Sequence, residues 1–101
     1  MKKYILLIVT SFAAGSFAHA KRIWIQTEAQ DGISAVSCWR GNPQAAVNKA
    51  VSAGWNYCVE NYGGQPEEGY EKVSEYCGQA STPVSICPYV CTARVKTYCN
   101  Y

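Results

Sequence analysis

Six cysteines in a chain of 101 residues restrict how this protein folds more than any other feature of its sequence. They are Cys38, Cys58, Cys77, Cys87, Cys91 and Cys99. An even number of cysteines in a short exported chain indicates a disulfide framework. The alternative is a zinc site, but the Cys87 and Cys91 spacing differs from the usual two-residue spacing and the only histidine, His19, lies outside this region. The sequence therefore predicts three disulfides, no metal site and no cofactor.

The first 20 residues have the three parts of a secretory signal peptide. Lys2 and Lys3 precede an apolar run over residues 4–14, and Ala18-His19-Ala20 supplies the small residues that signal peptidase recognises. The apolar run is too short for a permanent transmembrane helix, although a retained anchor is the alternative. We predict cleavage of residues 1–20 and a secreted or periplasmic protein with no stable membrane insertion. Residues 21–101 then form a single disulfide-stabilised domain.

Charge and histidine content exclude several classes of function. The formal net charge of the whole chain is +2, but Lys2 and Lys3 account for it, because residues 21–101 hold seven basic and seven acidic side chains. Nucleic-acid binding needs a basic surface, so nucleic acid is not an expected partner. Cleavage also removes His19, the only histidine of the chain. Histidine is the usual base that activates a serine or cysteine nucleophile. We therefore predict that the protein is not an enzyme.

Paired carboxylates are the remaining catalytic alternative. Glu67, Glu71 and Glu75 recur every four residues and could flank a glycosidic bond. On a helix, however, this spacing is typical of a solvated face. A chain of this size also leaves little room for a pocket of about 300 Å³ or more, the usual size of a ligand site.

An N-terminal β-hairpin is predicted around Asp31-Gly32, a favoured two-residue hairpin turn. The flanking segments, 23–30 and 33–40, are rich in strand-forming residues. With the turn at this position, Trp24 lies opposite Trp39, and Ile25 lies opposite Cys38. Since Cys38 has to reach another cysteine, we expect its face to point into the domain and the two tryptophans to point outward.

Two short helices are predicted after the hairpin. Asn42 and Pro43 are typical of a helix start, and Gly54 is a typical stop. Residues 55–60 then alternate as in a short strand. Pro66, followed by acidic residues, predicts the start of a second helix that extends to Cys77.

The C-terminal segment, residues 86–101, is predicted as a strand, with a helix as the alternative. Cys87, Cys91, Val95 and Cys99 are all odd-numbered and would share one strand face. In a strand, residues four apart are separated by about 13 Å, too far for a bridge between Cys87 and Cys91. The predicted fold is a small, disulfide-rich, two-layer α+β domain with the hairpin, two helices and this strand over a small sheet.

The outward-facing Trp24 and Trp39 are the candidate functional residues. Exposed aromatic side chains are typical anchors for a protein or carbohydrate partner, although the same residues could belong to the core. We therefore expect a non-catalytic binding module that acts through the aromatic residues of the hairpin. The alternative is a secreted antagonist, either a toxin or a hydrolase inhibitor, held rigid by three disulfides.

Overall fold

A computed structural model describes residues 21–101 and confirms the α+β class. One helix covers one face of a four-stranded antiparallel sheet. The elements in chain order are β1 (Arg22–Asp31), α1 (Pro43–Tyr62), β2 (Gln65–Pro66), β3 (Glu71–Ser81) and β4 (Ile86–Asn100). The predicted signal peptide lies outside the described residues. Within residues 21–101, no helix is both long and apolar enough to cross a membrane.

The long C-terminal strand β4 is the centre of the sheet. It pairs with β1 along one side, from Arg22 opposite Asn100 to Asp31 opposite Cys91. Its other side pairs with β3 and, at the C-terminal end, with the short β2. The predicted C-terminal strand is thereby confirmed, and each other strand of the sheet is bonded to it.

The odd-numbered residues of β1 and β4 face the helix and form the core. Ile25, Val95 and Thr97 are buried there, and the apolar side of α1 packs on the same face. The contacting helix residues are small: Ala46, Val47, Ala50 and Val51. Because no side chain larger than valine is fully buried in the described domain, the apolar core is thin.

Three disulfides connect β4 to the rest of the molecule, as predicted. They join Cys38 to Cys87, Cys58 to Cys99, and Cys77 to Cys91. The expectation that Cys87 is not bridged to Cys91 is confirmed, because both lie on one face of an extended strand. Such bridges persist in oxidising surroundings, so the cross-linked fold indicates an oxidising compartment.

The predicted N-terminal hairpin is wrong. β1 pairs with β4, and Trp24 lies opposite Tyr98 instead of Trp39. Only Ile33 and Cys38 form an isolated bridge in the segment after β1. The turn lies between them, where Ser34 N–H donates to the Ser37 carbonyl. The local turn signal at Asp31-Gly32 was outweighed by the ten-residue pairing that β4 offers to β1.

The first helix starts where predicted but continues past Gly54. The Asn42 side chain caps the helix by accepting from the Ala45 N–H at 3.0 Å. The helix ends at Gly63, whose left-handed conformation (φ 59°) closes it. The predicted strand over residues 55–60 is therefore wrong. Those residues continue the helix, which carries Cys58 to its disulfide with Cys99.

The predicted second helix is also wrong, since its residues form the loop after β2 and strand β3. Pro66 lies in β2, opposite Cys99. Tyr70, Val73 and Cys77 have a helical spacing, but the Cys77–Cys91 bridge and the pairing with β4 hold the segment extended. Long-range pairing here overrides a local periodicity.

Candidate binding surface

The sheet face opposite α1 is the most distinctive surface of the domain. It carries the even-numbered side chains of β1 and β4 and the residues of β3 that pair with them. We call it the Trp24 face. It comprises Arg22, Trp24, Gln26 and Glu28 of β1, Arg94, Lys96 and Tyr98 of β4, and Glu71, Ser74 and Tyr76 of β3.

Trp24 lies near one end of this face and is 56% exposed. Its cross-strand neighbour is Tyr98, and the Lys96 Nζ lies 4.7 Å from the centre of the indole ring. An ammonium over an indole is an attractive cation–π contact. The indole is therefore oriented by its neighbours while most of its surface stays in solvent.

Arg22 links this aromatic region to β2. Its guanidinium lies 3.9 Å from the centre of the Tyr98 ring and forms a two-pronged contact with the Glu67 carboxylate. Asn100 donates to the same carboxylate at 3.1 Å. The hydrogen bond from Arg22 lowers the pKa of Glu67 most, and that from Asn100 lowers it further. The contact with Glu67 in turn raises the pKa of Arg22. The Arg22 side chain is thus held in one orientation over Tyr98.

Glu71 connects the other side of the face. The Tyr98 hydroxyl donates to its carboxylate at 3.0 Å, which raises the pKa of the Tyr98 phenol. The Lys96 Nζ lies 4.0 Å from the same carboxylate. Glu28 and Arg94 form a further cross-strand pair at 3.1 Å. Each basic group of the face is therefore paired with an acidic one, and the charges balance when Glu67, the partner of Arg22, is counted with the face.

Trp39 lies apart from Trp24, which corrects the expectation that the two rings are opposed. Its backbone N–H donates to the Gly32 carbonyl, just beyond the far end of β1. Asp31 and Trp24 are seven residues apart on one strand, about 24 Å at about 3.4 Å per residue. Trp39 is 44% exposed, and its ring lies 5.6 Å from the Lys49 Nζ. Both tryptophans are exposed, but on separate parts of the molecule.

Asp31 anchors the region around Trp39. Its buried carboxylate accepts from the Lys49 Nζ at 2.8 Å and from the Asn42 N–H at 2.8 Å. The Lys49 contact is the largest cause that lowers the pKa of Asp31, with smaller contributions from Asn42 and Trp39. Trp39 therefore borders a structural ion pair.

Two open depressions on the described domain each have a volume of about 310 Å³. One is lined by Trp39, Arg40, Tyr89 and the Cys38 end of a disulfide, and the other lies between Trp55 on α1 and Tyr70. Both are open to solvent and neither is an enclosed cavity. Neither lining includes an acidic residue.

The three glutamates proposed as a helical stripe lie outside any helix. Glu67 binds Arg22, Glu71 accepts from Tyr98, and Glu75 pairs with Lys72 at 3.1 Å. Glu71 and Glu75 belong to β3, with a register shift between them. No group of three or more potential metal-ligating side chains occurs within residues 21–101.

Two matching turns form a separate apolar tip. In each, the first side-chain hydroxyl accepts from the N–H two and three residues later: Ser34 from Val36 and Ser37, and Thr82 from Val84 and Ser85. Val36 is 86% exposed and Val84 is 72% exposed. The Cys38–Cys87 bridge joins the two turns, one residue after Ser37 in the first and two residues after Ser85 in the second. Both valines are thus presented on short, hydrogen-bonded, cross-linked turns.

The neighbours of Trp24 on this face, chiefly Arg22, Lys96 and Tyr98, were not predicted from the sequence. A usable signal was present in β4, where polar residues at positions 92, 94, 96, 98 and 100 alternate with the odd-numbered core residues. Such alternation predicts a strand with one buried and one exposed face. It does not identify β1 as the neighbouring strand.

No protein family, curated protein or solved structure compared with this chain matches it.

Proposed function

We propose that this protein is an exported, non-catalytic binding module that contacts a partner protein through the Trp24 face. The supporting observation is an exposed tryptophan on the sheet face that the helix leaves free, beside Arg22 and Tyr98. The 64%-exposed Tyr76 lies on the same face, farther along the sheet, opposite Thr92. Tryptophan, tyrosine and arginine are the residue types that dominate binding energy at protein interfaces. Export is supported by the three disulfides and by the signal-like first 20 residues.

The chemistry of the face favours a protein over a glycan. Its rings and paired charges form a broad surface, whereas the two depressions beside Trp39 and Trp55 lie outside it. Because acidic and basic groups are paired, the partner surface is expected to be mixed in charge, with an apolar position for the indole. Charge complementarity of that kind sets orientation and specificity.

The test compares Trp24→Ala with a matched variant, Tyr57→Ala, whose 46%-exposed ring lies on α1. The oxidised protein is purified after export, and its N terminus is expected at Lys21. It is then cross-linked to its native surroundings, and captured proteins are identified by mass spectrometry. We expect Trp24→Ala to weaken capture by about 2 kcal/mol or more with a nearly unchanged melting temperature. Tyr57→Ala should retain capture.

Two outcomes would contradict the proposal. Equal capture by wild type and Trp24→Ala would remove the indole as an anchor. Binding to a glycan array that depends on Trp24, without any captured protein, would change the class of partner to carbohydrate.

A second candidate function, inhibition of a hydrolase, is favoured by the twin turns. Exposed valines on short turns cross-linked through Cys38 and Cys87 suit insertion into an apolar cleft, because little ordering cost remains on binding. Val36→Asp and Val84→Asp separate the two candidates. They should abolish binding by an inhibitor and leave binding through the Trp24 face intact.

A further inference from the structure

The two outer edges of the sheet differ. β3 forms one edge, and its pairing with β4 is interrupted by register shifts at Lys72/Ser74 and at Gly78/Ala80. Such bulges protect an edge from pairing with another strand. β1 forms the other edge as an unbroken ten-residue strand without a register shift. Among residues 21–101, no strand pairs with its outer side.

The hydrogen-bond pattern shows which groups of β1 point outward. Lys21 and Tyr101 exchange both backbone bonds, so the odd-numbered residues of β1 bond inward to β4. The N–H and C=O groups of Arg22, Trp24, Gln26 and Glu28 therefore point to the open edge. The Gln30 carbonyl also points outward, and it accepts from the Lys49 Nζ at 3.3 Å. The free part of the edge thus ends before Gln30.

We propose that a second copy of this chain pairs with β1, antiparallel about a two-fold axis at Ile25. This register places Arg22 of each copy opposite Glu28 of the other, and Trp24 opposite Gln26. Directly opposed unlike charges stabilise an antiparallel pair. Four residue pairs would exchange about eight backbone hydrogen bonds. A register shifted by one pair toward Gln30 would need the Gln30 carbonyl, which already accepts from Lys49. A shift in the other direction would move Arg22 away from Glu28 of the other copy.

The intrachain partners of these charges extend the match. Arg94 of one copy already holds Glu28, and Glu67 already holds Arg22. Pairing therefore places the Arg22–Glu67 contact of one copy beside the Glu28–Arg94 contact of the other, so unlike charges face each other across the two-fold axis. Arg22 and Glu28 are 56% and 48% exposed, so both are accessible to this second contact.

Pairing would also join the two Trp24 faces into one surface. The two Trp24 residues become diagonal neighbours across the two-fold axis, within about 7–8 Å. Each copy thereby contributes an indole to its partner's binding surface. This consequence rests on the proposed function, whereas the pairing itself does not.

Analytical ultracentrifugation of the exported, oxidised protein tests the pairing without any ligand. We expect wild type and Gln26→Ala, which keeps the outward N–H, to form dimers. Gln26→Pro removes the Gln26 N–H, which points to the open edge and is not bonded to β4. The variant should therefore stay folded but be monomeric. Equal melting temperatures of dilute Gln26→Pro and Gln26→Ala would show that the fold is retained.

The register is tested by charge. Arg22→Glu opposes like charges twice in each dimer and should raise the dimer dissociation constant by about tenfold or more. Glu67→Gln weakens the intrachain Arg22–Glu67 contact but keeps Arg22 opposite Glu28, so it should raise the dissociation constant far less than Arg22→Glu does. A monomeric wild type, or a dimer that withstands Gln26→Pro, would overturn the proposal. Dimerisation combined with failed partner capture would instead reject the proposed function alone.

Discussion

Gly54 allows α1 to lie close to the sheet. A Cβ at this position would overlap the Oγ1 of Thr97, a buried side chain of β4. Glycine in the middle of a helix normally costs about 1 kcal/mol relative to alanine. The helix therefore accepts an intrinsically poor residue because the packing distance at Thr97 excludes a larger one.

We expect Gly54→Ala to destabilise the protein by about 1–3 kcal/mol, the usual range for overpacking. Denaturant unfolding of the oxidised protein provides the measurement. Thr97→Ala in the same chain should recover most of the loss, because it removes the atoms that overlap, and the Thr97 hydroxyl has no hydrogen-bond partner in the described domain. A stabilising Gly54→Ala would show that the helix can move away at little cost.

The Asp31 carboxylate should make stability depend on acid pH. Its pKa is lowered in the fold, chiefly by Lys49, so its contribution is complete above the unfolded pKa of about 3.9. It is lost as the pH falls through the lower, folded value. Melting temperature is therefore expected to be nearly constant above about pH 5 and to fall below about pH 4.

Asp31→Asn separates this contribution from that of other carboxylates, including Glu67. The variant should lose about 1–3 kcal/mol at neutral pH, because the bonds to Lys49 and Asn42 involve a charged acceptor. Its difference from wild type should shrink as the pH falls below about 4. If the difference in unfolding free energy between wild type and Asp31→Asn stayed constant across the acid range, the loss would not be due to the carboxylate charge.

Helices and strands were predicted correctly where a local signal agrees with the long-range contacts. The Asn42-Pro43 helix start, the alternation in β4 and the rule against a Cys87–Cys91 bridge each depend on neighbouring residues. The errors occur where contacts between distant residues override a local signal, as at Asp31-Gly32 and Pro66. Pairing of β1 with β4 joins Arg22 to Asn100, and nothing within either segment identifies the other.

The same limit explains the misassigned helix–strand boundaries and the incomplete site. Alternating Trp55, Tyr57 and Val59 resemble a strand, but they lie on α1 because Cys58 has to approach Cys99. The exposure of Trp24 was expected for the wrong reason, since its predicted neighbour was Trp39. Tyr98 and Lys96 could be placed beside it only once the partner of β1 was known.

The three disulfides compensate for the thin apolar core of the domain. The fully buried apolar residues of the described domain are chiefly alanine, valine and half-cystine. Each bridge typically contributes about 2–4 kcal/mol, and total stability is typically about 5–15 kcal/mol. The three bridges together are thus comparable with the entire net stability.

Complete reduction is therefore expected to abolish the cooperative thermal transition or to lower its midpoint below about 37 °C. Circular dichroism melts of the oxidised protein and of the reduced, alkylated protein would measure the difference. Alkylation without reductant serves as the control, since all six cysteines are bridged. A reduced protein that melts cooperatively near the oxidised midpoint would show that the apolar core suffices.

The position of β4 determines when the native cross-links can form during synthesis. Cys38, Cys58 and Cys77 precede β4 in the chain, and each takes its partner from β4. Any bridge made among these three before β4 emerges is therefore non-native. A chain that enters an oxidising compartment N terminus first would expose all three to oxidant early. Its yield of folded protein should then depend on a disulfide isomerase, and less on the rate of oxidation.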